Sequence, residues 1–176
     1  MRIVGGRWRG RALAAPPDER VRPTTDKVRE AWMSIVGTAI PEARVLDLFA
    51  GSGALGLEAL SRGARSADFV DASAARLALL RENAASLGAL PLATLHRADA
   101  LAFAARLAPG SYDVAFADPP YNTGAAPRLA ELWLAAPFAR RLSIEHARDE
   151  ALPPGGEQRR YGRTVLTFYA QVGGGR

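Results

Sequence analysis

Three glycines, Gly51, Gly53 and Gly56, have the spacing G-x-G-x-x-G and follow directly after the apolar run 45–50. Glycines at this spacing allow a tight turn between a strand and a helix. They also let a ligand approach the backbone N–H groups at the start of the helix. Asp71 lies 20 residues after Gly51, where an acid can hydrogen-bond a ribose diol. The segment therefore predicts a ligand such as NAD or S-adenosylmethionine.

Asp47, which lies inside the apolar run before the glycines, distinguishes between these two ligands. In a dinucleotide site the pyrophosphate binds at the helix N-terminus, where a neighbouring carboxylate would repel it. S-adenosylmethionine has no phosphate and carries an ammonium and a sulfonium group, both of which a carboxylate attracts. Asp47 therefore favours S-adenosylmethionine as the cofactor.

The tetrapeptide Asp118-Pro119-Pro120-Tyr121 follows the apolar run 112–117 and is typical of enzymes that methylate exocyclic amines on bases. Such an amine is a weak nucleophile because its lone pair is delocalised into the ring. Hydrogen bonds from the amine to the Asp118 carboxylate and the Pro119 carbonyl would localise the pair and orient it. Tyr121 can stack on a base that has been taken out of its helix. These three residues are the candidate catalytic residues.

Two features have a simpler interpretation: the tetrapeptide, and Asp99, which lies just after the apolar run 92–97. The tetrapeptide could be an ordinary turn, since Asp and Pro both favour turns. Its occurrence together with Asp47, Asp71 and the glycines favours the catalytic interpretation. Asp99 could be the N-cap of the helix that follows it, or it could accept a hydrogen bond from an adenine amine.

The elements that position these residues alternate between strand and helix. Apolar runs predict strands at 44–50, 67–71, 92–97, 112–117, 141–146, 157–161 and 164–170. Helical periodicity between them predicts a mostly parallel seven-stranded sheet in an α/β fold. Only Gly162-Arg163 separates the last two strands, which predicts an antiparallel pair at one edge.

Two further elements precede the sheet. Glycines at positions 5, 6 and 10 predict an N-terminal β-hairpin. A Thr-capped helix ending at Gly37 follows it. The apolar face of this helix is predicted to consist of Val28, Trp32, Ile35 and Val36.

The composition limits the class of protein. A chain of 176 residues with 48% hydrophobic residues predicts a single domain, 1–176, with the hairpin as an extension over 1–17 and a flexible tail over 171–176. The absence of cysteine excludes disulfides and thiolate sites, and two distant histidines argue against a metal. No apolar run approaches the roughly 20 residues of a membrane span, so we expect a cytoplasmic protein.

Arginine accounts for nearly all of the positive charge, and its distribution is uneven. The net charge is +5, and Arg2, Arg7, Arg9 and Arg11 lie within the first eleven residues without an acid among them. A polyanion such as RNA would suit this segment because each phosphate contact releases counterions. The alternative is a solvated basic arm with no partner.

Five segments resemble the RsmD family, the small-subunit ribosomal RNA guanine-N2 methyltransferases. They are RIVGGRWRGRAL, RPTTDKVREAW, LDLFAGSGALGLEALSRGA, DPPY and YGRTVLTFY, which together span nearly the whole chain. The resemblance implies a Rossmann-like class I methyltransferase fold with S-adenosylmethionine as donor. It further implies a guanine N2 amine of 16S ribosomal RNA as acceptor, within the 30S subunit or its assembly intermediate.

The resemblance also implies roles for individual residues. Cofactor contacts are assigned to Asp47, Gly51 and Gly53 for the methionine part, Asp71 for the ribose and Asp99 for the adenine, with Arg22 and Thr24 closing over them. Base contacts are assigned to Asp118, Pro119 and Tyr121, and an RNA contact to Arg29, which shares a family signature with Arg22 and Thr24. The clustered charge of the N-terminal segment separately predicts RNA contacts at Arg7, Arg9 and Arg11. The chain departs from the family at the end of the second strand, where Asp71 replaces the usual Glu and Ser73 replaces a second Asp.

Three other functions are compatible with parts of the pattern. The protein could methylate amines of DNA or of another RNA. The glycine spacing taken alone would suit an NAD-dependent oxidoreductase, and a non-catalytic RNA-binding module could retain the loop as a scaffold.

Overall fold

The computed structural model describes residues 1–17 and 25–173. The helices are α1 (Asp26–Val36), α2 (Ala54–Ser61), α3 (Ala74–Leu87), α4 (Ala100–Ala105) and α5 (Ala125–Ala135). The strands are β1 (Arg44–Leu48), β2 (Ser66–Asp71), β3 (Ala93–Arg97), β4 (Tyr112–Ala117), β5 (Ala139–Ala147), β6 (Glu157–Tyr161) and β7 (Thr164–Ala170). Within these ranges the helices are too short or too polar to cross a membrane.

The seven strands form one sheet in the order β3-β2-β1-β4-β5-β7-β6. Strands β1 to β5 are parallel to one another, whereas β7 is antiparallel to both β5 and β6. The predicted fold class is therefore confirmed. The short 162–163 connection makes β6 and β7 antiparallel, and β7 inserts between β5 and the edge strand β6.

Alternate residues of β1 face the two helical layers, as the period of a strand requires. Val45 packs in a core with α1, α2 and α3, while Leu46 and Leu48 pack in a second core with α4 and α5. Asp47 shares the face of Val45 and therefore points toward α2. The sheet is covered on both faces, so its ligand-accessible side is the edge at the carboxyl ends of the parallel strands.

The buried face of α1 differs from the predicted one. The helix buries Arg29, Trp32, Met33 and Val36, at spacings of three, four and seven residues, while Ile35 is 38% exposed. Trp32 donates from Nε1 to Ser143 Oγ at 2.6 Å, which fixes the helix against β5. The apolar pattern misplaced this face because a buried arginine occupies a position that hydrophobicity assigns to solvent.

Residues 1–17, here called the N-terminal arm, fold back on themselves through a bridge between Arg2 and Ala12. Ile3 and Leu13 from the arm are buried in the core shared with α1–α3. Gly6 has φ +78°, and a Cβ there would lie 2.0 Å from the Ser61 carbonyl oxygen. The close approach of the arm to α2 therefore requires glycine at this position.

Glu58 of α2 anchors the arm although its side chain is completely buried. It accepts hydrogen bonds from the backbone N–H groups of Val4 at 2.9 Å and Gly5 at 2.8 Å. Its carboxylate also pairs with Arg62 at 3.0 Å and with Arg29 at 3.5 Å. A buried carboxylate is tolerated here because hydrogen bonds and two guanidinium groups compensate its desolvation.

Replacing Glu58 with Ala should lower the free energy of unfolding by about 3–5 kcal/mol, because it leaves Arg29 buried without this partner. Urea denaturation followed by circular dichroism measures the change. The matched control is Glu131→Ala, which removes an exposed carboxylate paired with Arg128 at 3.3 Å and should change stability by less than about 1 kcal/mol. Equal effects of the two substitutions would contradict the anchoring role of Glu58.

Candidate functional site

The loop between β1 and α2 has the backbone conformation that its glycines predict. Gly51 and Gly53 have φ values of +56° and +84°, and Gly53 is the N-cap of α2. Phe49 also has a positive φ of +57°, which costs a non-glycine residue about 1–2 kcal/mol. The chain therefore turns sharply at the end of β1 and presents the start of α2 at the sheet edge.

The third glycine of the motif has a packing role. A Cβ at Gly56 would lie 2.3 Å from Phe69 Cε1 and 3.1 Å from Asp47 Oδ2. In contrast, a Cβ at Gly51 would meet no atom within 4 Å. Gly51 therefore borders open space where a ligand can lie, whereas Gly56 brings α2 close to the sheet.

Asp71 holds the loop to the end of β2. Its carboxylate is 5% exposed and accepts hydrogen bonds from the backbone N–H groups of Gly51 and Ser73, both at 2.9 Å. Arg76 lies 4.0 Å away. A carboxylate has about four lone-pair positions, so these contacts leave acceptor capacity for a ribose hydroxyl.

Asp47 lies beneath the loop with 1% of its surface exposed. Its Oδ2 accepts a hydrogen bond from the Gly56 N–H at 2.9 Å. Burial raises the pKa of Asp47 well above its usual value, and the negative charges of Asp118 and Asp71 raise it further, while the Gly56 hydrogen bond opposes them. The edge therefore concentrates negative potential, which favours a cationic ligand.

The sheet register aligns these acids. Leu48 of β1 pairs with Val70 of β2 and with Ala117 of β4. Asp71 and Asp118 are thus the next residues on either side of β1, level with the turn that begins the glycine loop. The structure brings Asp47, Gly51, Gly53, Asp71 and the segment that begins at Asp118 together at one edge.

The DPPY segment leaves β4 at this edge, with Pro119 buried and Asp118 and Tyr121 partly buried. The Tyr121 hydroxyl lies 2.9 Å from Glu145 Oε1 and 3.0 Å from Thr164 Oγ1. These contacts tie the tyrosine to β5 and β7 by its polar end. The sequence analysis did not identify Glu145 or Thr164, because their role depends on strand pairing between distant segments.

Asp99 adopts the simpler of its two predicted roles. It is exposed and its Oδ1 accepts a hydrogen bond from the Ala102 N–H at 2.8 Å, which makes it the N-cap of α4. A contact to adenine therefore depends on the remaining acceptor capacity of this carboxylate. Arg22 and Thr24 lie outside the described residues, as do residues 174–176 of the predicted tail.

The predicted RNA contacts fall into two groups. Arg7, Arg9 and Arg11 are exposed, as an RNA contact requires. Arg7 stacks on Trp8 with 4.4 Å to the ring centroid, and Arg11 donates to the Ser86 carbonyl at 2.6 Å. The backbone N–H of Arg7 binds the carbonyl of Ser61, the last residue of α2.

The prediction that Arg29 contacts RNA is wrong. Its side chain is completely buried, donates to the Arg2 carbonyl and to Asp26 at 2.8 Å, and pairs with Glu58. Burial among these groups leaves no surface for a phosphate. Arg29 instead joins α1 to the arm.

Asn83 is a further residue that the sequence analysis missed. It is buried in α3, where it exchanges hydrogen bonds with the backbone of Ala14 and donates to the Ser52 carbonyl at 3.0 Å. It therefore joins the arm to the glycine loop. A polar residue on the buried face of a helix was the available signal.

This strand order, with an antiparallel β7, a glycine loop after β1 and acids at the ends of β2 and β4, defines the class I methyltransferase fold. The same fold occurs in the SAM-dependent methyltransferase from Agrobacterium tumefaciens. Its structure aligns with 81% of this chain and 60% of its own, with a TM-score of 0.61 at 19% identity.

The family model described as conserved hypothetical protein 95 matches residues 1–170. The chain belongs to this family, which is the RsmD family. Ribosomal RNA small subunit methyltransferase D from Escherichia coli K12 is 43% identical over 124 residues, 70% of this chain and 62% of that relative. The chain thus matches less than two thirds of the relative's length. The solved structure of Escherichia coli yhhF has a TM-score of 0.83 at 33% identity and covers 97% of this chain and 99% of its own.

Replacing Asp47 with Asn should increase the stability of the ligand-free protein at neutral pH. The raised pKa means that the folded state binds the proton more tightly than the unfolded state, so this carboxyl stabilises the fold at low pH and loses that contribution as pH rises through the folded pKa. Asn removes the buried charge and can still accept from Gly56. The stability difference between Asp47→Asn and the wild-type protein should shrink as pH falls toward 3.8, the ordinary pKa of an aspartate. Urea denaturation across a pH series measures it, and a pH-independent difference would contradict the assignment.

Proposed function

We propose that this protein transfers a methyl group from S-adenosylmethionine to the exocyclic N2 amine of a guanine in 16S ribosomal RNA. The observation that carries the proposal is the alignment of Asp47, Asp71 and Asp118 around the glycine loop at one sheet edge. Acids at this edge suit a cationic donor and disfavour the pyrophosphate of NAD. The geometry therefore supports a methyltransferase better than an oxidoreductase.

The residues present fit S-adenosylmethionine. Asp47, Gly51 and Gly53 would bind its methionine part, Asp71 its ribose and Asp99 its adenine, with Arg22 and Thr24 assigned to the same site from the family motif. The space beside Gly51 is open, and the nearby carboxylates match the ammonium and sulfonium charges. When bound, the donor supplies an electrophilic methyl carbon on sulfur.

Asp118, Pro119 and Tyr121 would prepare the acceptor. The Asp118 carboxylate and the Pro119 carbonyl accept hydrogen bonds from the guanine amine, which localises its lone pair and directs it at the methyl carbon. Tyr121, fixed by Glu145 and Thr164, provides a ring on which the extruded base stacks. The protein groups therefore act by orientation and electrostatics.

The choice of ribosomal RNA rests on family membership and on the name of the relative, which is a ribosomal RNA small subunit methyltransferase. The arginines of the arm support a polyanionic substrate. We propose the 30S subunit or its assembly intermediate as the partner and the cytoplasm as the location.

Replacing Asp118 with Ala should lower the rate of methyl transfer to small-subunit RNA by about 100-fold or more, because the amine loses a preorganised acceptor. Incorporation of labelled methyl into 30S particles measures the rate, and mass analysis of nucleosides identifies the modified guanine. Duplex DNA and large-subunit RNA serve as alternative acceptors. If the Asp118→Ala variant transfers methyl groups at the wild-type rate, the catalytic assignment is overturned.

The matched control is Asp113→Ala at the opposite end of β4, where the carboxylate pairs with Arg44 at 3.2 Å. This variant should retain activity, since the N-terminal end of β4 lies at the opposite end of the strand from Asp118.

Calorimetric titration should give unchanged S-adenosylmethionine affinity for the Asp118→Ala variant. Tight binding of NAD with none of S-adenosylmethionine would instead indicate an oxidoreductase.

Neutralising Arg7, Arg9 and Arg11 together should weaken RNA binding and reduce its salt dependence, without changing cofactor affinity. For each phosphate that the protein no longer neutralises, the slope of log K against log salt should fall by about 0.7–0.9. Arg140→Gln is the control, because this arginine is 60% exposed and lies at the start of β5. An unchanged slope in the triple variant would exclude the arm as an RNA contact.

A further inference from the structure

An arginine pair outside the N-terminal arm lies beside the DPPY segment. Arg148 follows the last residue of β5 and Arg163 precedes the first residue of β7, and these strands pair with Ala147 opposite Thr164. The Arg148 N–H donates to the Arg163 carbonyl at 3.2 Å, so the two residues are adjacent. They lie at the same sheet edge as Asp118, because β4 and β5 are parallel.

The two arginines lie further out along the strand direction than Asp118. Ala117, which precedes Asp118, pairs with Ile144, and Arg148 comes four residues later. At about 3.3 Å per residue, its backbone lies roughly 13 Å further along the strand direction. The pair is therefore positioned to meet a substrate outside the sheet edge that carries Asp118.

A cavity of about 590 Å³ separates the arginines from the catalytic segment. It is lined by Tyr121, Ala147, Arg148, Asp149 and Arg163. Because the Tyr121 hydroxyl is held by Glu145 and Thr164, one cavity wall is fixed relative to Asp118.

The charges of the cavity favour an anion. Both arginines are exposed, and neither forms an ion pair within 4.0 Å in the ranges 1–17 and 25–173. Among the described residues Asp149 is the one acid lining the cavity, and the adjacent Glu150 accepts from the Asn122 N–H at 3.3 Å. Two guanidinium groups against one lining carboxylate leave a net positive charge. Guanidinium groups bind phosphate oxygens with paired N–H donors.

We propose that Arg148 and Arg163 bind a phosphodiester group of the RNA strand next to the nucleotide whose base reaches Asp118. The inference rests on the proposed function, since it takes RNA as the substrate. Tyr121 forms the wall between the phosphate subsite and the base subsite. The pair thus holds the backbone while the base is extruded, and it is separate from the arginines of the N-terminal arm.

The test uses the full chain with Arg148→Gln and Arg163→Gln combined. A fluorescein-labelled single-stranded oligoribonucleotide containing guanine is the binding probe, read by anisotropy over a salt series. Affinity should fall on the order of tenfold, because the variant cannot form the hydrogen bonds to a charged phosphate. The salt slope should fall by about 0.7 for each phosphate that the variant no longer neutralises. Unchanged affinity and slope would overturn the subsite.

Two variants control for net charge. Arg106→Gln removes one positive charge at the C-cap of α4, at the opposite end of the sheet from Asp118, and should leave affinity unchanged. Asp149→Asn removes the acid that lines the cavity, so it should tighten RNA binding. Tighter binding by Asp149→Asn together with weaker binding by the arginine variant supports the subsite. If Arg106→Gln weakens binding as much per charge removed as the combined arginine variant does, the effect is nonspecific and the subsite is overturned.

A competition experiment separates RNA from a free anion. Inorganic phosphate, added at constant ionic strength, should compete poorly with the oligoribonucleotide, since the proposal requires a strand that also contacts Tyr121. Competition as strong as that of RNA phosphate at equal concentration would assign a simple phosphate site and overturn the RNA assignment.

Methyl transfer then distinguishes the subsite from the proposed function. In the arginine variant the KM for 30S particles should rise while kcat stays within about twofold, as expected when uniform binding is removed. An equal melting temperature excludes a folding defect. If the unmodified protein binds RNA through these arginines but methylates no guanine N2, the proposed function fails and the subsite stands. If the wild-type protein methylates guanine N2 and the arginine variant has an unchanged KM, the proposed function stands and the subsite fails.

Discussion

The hydrogen bond from the Gly56 N–H to the buried Asp47 carboxylate joins β1 to α2, the helix that follows the glycine loop. The contact requires a glycine, because a side chain at position 56 would collide with Phe69. A carboxylate so deeply buried is costly unless its environment compensates it. The charges of Asp71 and Asp118, at the ends of β2 and β4, add to the negative potential at Asp47. Stability of the ligand-free fold and attraction of a cation therefore oppose each other at Asp47.

The N-terminal arm is connected to the same helix and to the glycine loop. Asn83 connects Ala14 of the arm to Ser52 of the glycine loop, and Glu58 connects Val4 and Gly5 to α2. Both side chains are buried, so the arm is held by polar contacts as well as by Ile3 and Leu13. Helix α2, the glycine loop and the arm are thus joined by two buried polar side chains.

Positive charge is distributed over both ends of the sheet. The backbone of Arg7 binds the last turn of α2, a helix of eight residues and about 12 Å, so the arm's tip lies away from the glycine loop. Arg148 and Arg163, in contrast, lie at the edge that carries Asp118. Under the proposed function, one folded RNA would contact both surfaces, with the arm contributing affinity and the pair beside Tyr121 positioning the strand.

The sequence by itself determined the strand and helix pattern, the fold class and the candidate residues at the strand ends. These follow from local periodicity, from glycine stereochemistry at positions 51 and 53, and from motifs that are contiguous in the chain. Only the tertiary structure decided that Arg29 is buried, that Glu145 and Thr164 hold Tyr121, and that Arg148 lies beside Arg163. Each of these facts depends on pairing between segments distant in sequence, and a charged side chain can be exposed or buried with its partners without changing the local pattern.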